Sequence, residues 1–166
     1  MQNLLRLSGF AATVVAFAAS APSAVAQEKA MSWACQGVGG GTPMPVGDRE
    51  GHSISVDQYS CRVESGAGTG GVGAGVGIWE WDGPKATLIS NGGVASKPGA
   101  TLAWRFAEGQ QALTMSEGKV TGCSGSGKGT DQVATGEWAS WAGATFTCTW
   151  KCVGPASQFT VACTHE

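Results

Sequence analysis

Apolar and polar positions alternate in short runs along most of this chain, and Gly, Pro, Asn or Asp interrupts the runs at close intervals. Period-two alternation places successive side chains on opposite faces of a strand. The runs predict strands over residues 53–56, 59–64, 72–81, 86–89, 101–106, 112–115, 120–123, 134–138, 144–153 and 159–164. Turn chemistry falls between them at Asp82-Gly83-Pro84, Asn91-Gly92-Gly93, Lys97-Pro98-Gly99, Glu108-Gly109, Glu117-Gly118 and Gly154-Pro155. Beyond Ala26 no segment carries the capping and spacing of an amphipathic helix. The pattern predicts an all-β domain built as a single antiparallel β-barrel, with a β-sandwich as the alternative. Closure removes exposed strand edges, which favours the barrel.

Residues 1–26 follow a different pattern. Arg6 precedes an apolar run from Phe10 to Ala19, and the segment closes on Ala24-Val25-Ala26. This is the form of a secretory signal peptide, too short in its apolar run to span a bilayer. Residues 27–50 read as an N-terminal segment and 51–166 as the barrel. The expected location is periplasmic or secreted.

Composition sharpens the picture. Past Ala26, Leu occurs only at 88, 102 and 113, while Thr, Val and seven Trp are prominent, a bias toward pleated structure. The aliphatic core is thin, so other support is required. The formal charge of −2 becomes about −3 without Arg6, which gives no basic surplus for nucleic acid or anionic lipid. Neither nucleic-acid binding nor membrane insertion is expected, and no cofactor is implied.

Six cysteines, Cys35, Cys61, Cys123, Cys148, Cys152 and Cys163, lie past the leader and read as disulfides of an oxidising compartment. No CxxC is present and His52 and His165 are the only histidines, so a metal site is not expected. Cys148 and Cys152 are four residues apart, about 13 Å in a strand, too far to bridge each other. If 144–153 and 159–164 form an antiparallel hairpin with Cys152 opposite Phe159, Cys148 falls opposite Cys163 and the two pair. Cys152 then reaches Cys35, Cys61 or Cys123. A one-residue bulge would instead offer Cys152 to Cys163.

Glycine motifs carry little chemistry here. Gly66-Ala67-Gly68-Thr69-Gly70-Gly71 matches a dinucleotide fingerprint, but no helix follows. Gly122 to Lys128 imitates a phosphate loop with Gly129 where a hydroxyl is needed, and reads as a flexible hairpin loop. Ser126 lacks the nucleophile elbow of a hydrolase. In 72–82, Val72, Ala74, Val76 and Ile78 share one face with Glu80 and Asp82, and the glycines share the other with Trp79 and Trp81. With the apolar face inward, Glu80 and Asp82 would enter the barrel.

Acids beside Trp are the candidate chemical groups. Glu80 and Glu137 are the candidate catalytic residues, since burial against an indole would raise a carboxyl pKa. Arg105 could pair with Glu80 in a barrel mouth. Trp79, Glu80, Trp81, Arg105 and Trp138 are the candidate ligand-binding residues.

Gly47-Asp48-Arg49-Glu50-Gly51-His52, Trp79-Glu80-Trp81-Asp82-Gly83-Pro84, Gly118-Lys119-Val120-Thr121-Gly122 and the segments at 97–99 and 154–159 resemble a group of small exported bacterial proteins that brings no activity to carry over. The glycine pattern at 124–129, with Ala134-Thr135-Gly136, is similar to hairpins of allene-oxide-cyclase-like barrels. That resemblance implies a barrel able to hold an apolar ligand, and transfers no catalytic residue.

The expectation is therefore an exported barrel that binds a small apolar or aromatic molecule or has a structural envelope role. Binding ranks ahead of catalysis. The alternatives are an isomerase or cyclase using a cavity carboxylate, and a protein-interaction module with Trp79 and Trp81 as an exposed platform.

Overall fold

The computed structural model describes residues 29–152 and 157–166 and shows an all-β chain. Its strands are β1 (Ala30–Gly40), β2 (Met44–Pro45), β3 (His52–Gly66), β4 (Val72–Asp82), β5 (Lys85–Lys97), β6 (Ala100–Ser116), β7 (Lys119–Ala134), β8 (Thr145–Cys152) and β9 (Gln158–His165). Every pairing is antiparallel. β3 to β9 pair in chain order, and β1 pairs with both β9 and β3, which closes an eight-stranded barrel. β2 adds to β3 at Met44↔Ile54 and Pro45↔Ser53, outside the ring. The predicted signal peptide and the Gly154-Pro155 turn lie outside the described residues.

Several predicted breaks lie inside strands. Segments 53–56 and 59–64 are one strand, β3, and Asn91-Gly92-Gly93 and Glu108-Gly109 sit within β5 and β6. These residues adjoin bulges. Ile89 is the extra residue on β5 between Ile78↔Ser90 and Trp79↔Leu88, and Ala107 is extra on β6 between Phe106↔Gly129 and Glu108↔Lys128. A bulge bends a long strand without ending it, which is how a small barrel curves. Residues 122–129, expected as a loop, are the middle of β7. Residues 134–138 are not a strand: β7 ends at Ala134, and Gly136–Trp141 is a short 3-10 helix. Ala30–Gly40, placed in the N-terminal segment by pattern alone, is the strand that closes the ring. The turns at Gly83, Gly99 and Glu117-Gly118 stand as predicted, each with a left-handed residue.

The interior explains the glycines. Four glycines pair directly with an aromatic residue whose ring occupies the missing side-chain space: Gly75 with Tyr59, Gly93 with Trp104, Gly125 with Trp150 and Gly129 with Phe146. A Cβ at Gly125 would stand 2.3 Å from the Trp150 ring, and one at Gly129 2.5 Å from the Phe146 ring. A lumen this narrow holds so many large rings only where neighbouring strands supply no side chain. On β4 the glycine face therefore points inward with Trp79 and Trp81, while Val72, Val76, Glu80 and Asp82 point outward. This reverses the orientation expected from the apolar face.

One end of the barrel is plugged. The 3-10 helix lays Trp138, fully buried, across Gly68 and Gly71 of the β3–β4 turn, and its indole N–H donates to Ala67 O at 3.2 Å. Trp141 stacks on His165 at 3.8 Å between ring centres.

Three cross-strand disulfides tie the wall: Cys35–Cys61 across the β1–β3 closure, Cys123–Cys152 between β7 and β8, and Cys148–Cys163 between β8 and β9. The β8–β9 register runs through Cys152↔Phe159, Trp150↔Val161 and Cys148↔Cys163, as the hairpin argument predicted. Three disulfides fit an oxidising environment. Among the described residues, no helix is long and apolar enough to cross a membrane.

Candidate functional site

The lumen is a cavity of about 740 Å³, lined from the plug to the opposite rim. That volume lies within the range of small-molecule sites. Five tryptophans, Trp33, Trp79, Trp81, Trp104 and Trp150, line it. Their rings meet edge-on or tilted: Trp33 lies 5.7 Å from Trp104, and Trp79 lies 5.8 Å from Trp150. Two of the indole N–H groups are satisfied within the wall. Trp81 donates to Ser55 Oγ at 2.9 Å and Trp150 to Gln111 Oε1 at 2.9 Å. The six half-cystines also face this space.

Polar groups occur at two levels. Near the rim, Asp57 faces inward where β1 ends, opposite Gly40 on one side and Gly77 on the other. Its hydrogen bond from Ser55 Oγ is long, at 3.5 Å, and burial raises its carboxyl pKa above the ordinary 3.8. Close by, Tyr59 Oη donates to Asn91 Oδ1 at 3.0 Å, and burial raises the Tyr59 pKa. At the plugged end, Asp131 Oδ2 lies 3.0 Å from His165 Nε2, with both side chains buried. Asp131 Oδ2 makes no directed hydrogen bond among the described residues. His165 Nδ1 is 3.2 Å from Lys29 O, and since a carbonyl only accepts, Nδ1 is the donor.

The candidate residues separate. Trp79 and Trp81 are lumen residues, 6% and 7% exposed, so they offer no surface platform. Trp138 belongs to the plug rather than to a binding wall. Glu80 faces outward and lies 2.8 Å from His52 Nε2. Arg105, also outward, sits between Gly92 and Thr130 on β5 and β7, whereas Glu80 pairs with Thr87, so the expected Glu80–Arg105 pair does not form. Glu137 lies on the plug helix and meets Lys97 Nζ at 2.9 Å. Neither candidate carboxylate reaches the lumen.

Glu80 instead belongs to a cluster on the outer wall. His52 is held between Asp48, at its Nδ1, and Glu80, while Arg49 lies 3.1 Å from Asp48 and 3.7 Å from Asp82. The bond to Asp48 raises the His52 pKa above 6.5, with Glu80 adding to it, and the same bond lowers the Asp48 pKa. Ser126 faces outward on β7, opposite Thr149 and Gln110. Among the described residues, no group of three or more His, Cys, Asp or Glu side chains is placed to hold a metal ion.

Asp57, Asp131 and His165 are the lumen groups that sequence reasoning passed over. Asp57 carried a signal: it shares a strand face with Tyr59 and Cys61, and a disulfide cysteine in a thin-cored protein points inward. The Asp131–His165 contact carried none, since it joins β7 to β9 across the intervening β8.

No protein-family model, curated protein or solved structure matches this chain. The site is therefore read from its own chemistry.

Proposed function

We propose that this protein is exported to the periplasm or the extracellular space and binds a small apolar or aromatic molecule inside its barrel. The supporting observation is the 740 Å³ lumen walled by tryptophan rings, closed at one end by Trp138 and Trp141. A lumen that served only as a core would be filled by its side chains, as small barrels usually are. Here the rings lie against glycines along the wall and leave the centre free. The disulfides suit such a role, since they hold the wall in shape while the interior is empty of ligand.

Native mass spectrometry of protein purified from its own host tests the proposal. The expected result is a retained non-covalent adduct of a few hundred daltons that is lost on unfolding. Protein that carries no adduct, and takes up no apolar probe when one is offered, would refute it.

A further inference from the structure

We propose that the molecule held in the lumen is an organic cation, an amine or quaternary ammonium on an apolar or aromatic body, with Asp57 as its counter-charge. This rests on the reading of the lumen as a binding cavity and adds the class of ligand.

Three observations carry the inference. First, among the described residues no Lys or Arg lines the lumen; its charged groups are Asp57, Asp131 and His165. Second, Asp131 at the plugged end has a basic side chain beside it, His165 Nε2 at 3.0 Å. Asp57 has no such partner. Among the described residues its hydrogen bond is the 3.5 Å contact from Ser55 Oγ, and its ladder partners on β1 and β4 are Gly40 and Gly77, which carry no side chain. A half-buried carboxylate without a cation is unfavourable unless something else supplies the charge. Third, the wall beside it is aromatic. The space a Gly77 side chain would take is filled by the Trp79 indole, 2.8 Å from the ideal Cβ position. Tyr59, two residues along β3, turns its ring onto Gly75. An aromatic wall beside a carboxylate that lacks a cation suits an organic cation, because aromatic rings attract such a charge without hydrating it.

The geometry also argues against an anionic ligand. A carboxylate or phosphate entering the rim would meet Asp57 with no Lys or Arg among the described lining residues to offset the repulsion.

A matched pair of probes tests the proposal: phenyltrimethylammonium and tert-butylbenzene, which share a shape and differ in charge. Binding is followed by tryptophan fluorescence at neutral pH. The expected result is at least about tenfold tighter binding of the cation to the unmodified protein. Asp57→Asn is expected to remove that preference and leave affinity for the neutral probe within about twofold; Asp57→Ser gives the same readout if the Asn variant fails to fold. Equal or tighter binding of the neutral probe overturns the inference and leaves the lumen as an apolar site. A cation preference that survives in both variants overturns the role of Asp57. Failure of both probes to bind overturns the lumen reading itself.

Discussion

Asp57 lies directly across the β3–β4 ladder from Gly77, so the inward carboxylate faces a residue with no side chain and the space beside it is taken by the Trp79 indole. Its folded-state pKa is raised by burial. An acid raised in the folded state favours folding while protonated, and that contribution is lost as pH climbs through the folded pKa. Asp57→Asn is therefore expected to raise the thermal midpoint at pH 7 and to lose its advantage below pH 3.8. Thermal unfolding of both proteins across that range checks it.

His52 follows the same sign at higher pH, and its partner Asp48 the opposite one. Its pKa is raised and that of Asp48 lowered by the bond between them. The His52 contribution is fully present below pH 6.5 and fades as pH rises through the folded pKa, while that of Asp48 is present above pH 3.8 and fades on acidification. The pair thus stabilises most between about pH 3.8 and 6.5. His52→Gln is expected to lower the thermal midpoint most within that window and to converge on the unmodified protein in mild alkali. A constant offset at all pH values would show that His52 acts by packing alone.

Lumen glycines are expected to differ sharply from wall glycines. Gly125→Ala would drive a methyl group into the Trp150 ring and the Gln110 carbonyl, at a cost of about 1–3 kcal/mol. At Gly122 the nearest atoms, on Thr114, are 3.8 Å away, and Gly122→Ala is expected to be neutral or slightly stabilising. Denaturant unfolding of the two variants makes the comparison.

The disulfides differ in the loops they close. Cys148–Cys163 spans 15 residues and Cys35–Cys61 spans 26. Chain entropy assigns about 3 kcal/mol to the first and about 0.5 kcal/mol more to the second. Replacing each pair by alanine and measuring unfolding free energy is expected to give that order. The Cys35–Cys61 variant should also loosen the β1–β3 closure, seen as faster amide exchange in β1.

What was legible in the sequence follows from how local each feature is. The Cys148–Cys163 link could be read because one hairpin fixes its register. The partner of Cys152 could not, because Cys123 lies across the β7–β8 pairing, with the plug helix between the strands. The pattern of β4 leaves the orientation of Glu80 open, because apolar side chains normally mark the buried face while the Trp residues on the other face also suit a core. Here Tyr59, Trp79 and Trp33 require the glycine face of β4 for room, and that demand arises only once the ring closes. The same omission hid β1, whose glycines end the strand at the rim and whose Trp33 and Cys35 serve the lumen. All-β architecture, barrel closure and a disulfide-supported wall were visible; the choice of lumen carboxylate was not.

The most direct measurement is a titration with N-phenyl-1-naphthylamine, a neutral apolar dye that accepts energy from tryptophan. Saturable uptake at one dye per chain is expected, with quenching of tryptophan emission. Leu113→Trp, which fills lumen space beside Cys123 and Trp150, should abolish uptake without loss of fold. Uptake that never saturates, or that is unchanged in the filled variant, would contradict a binding lumen.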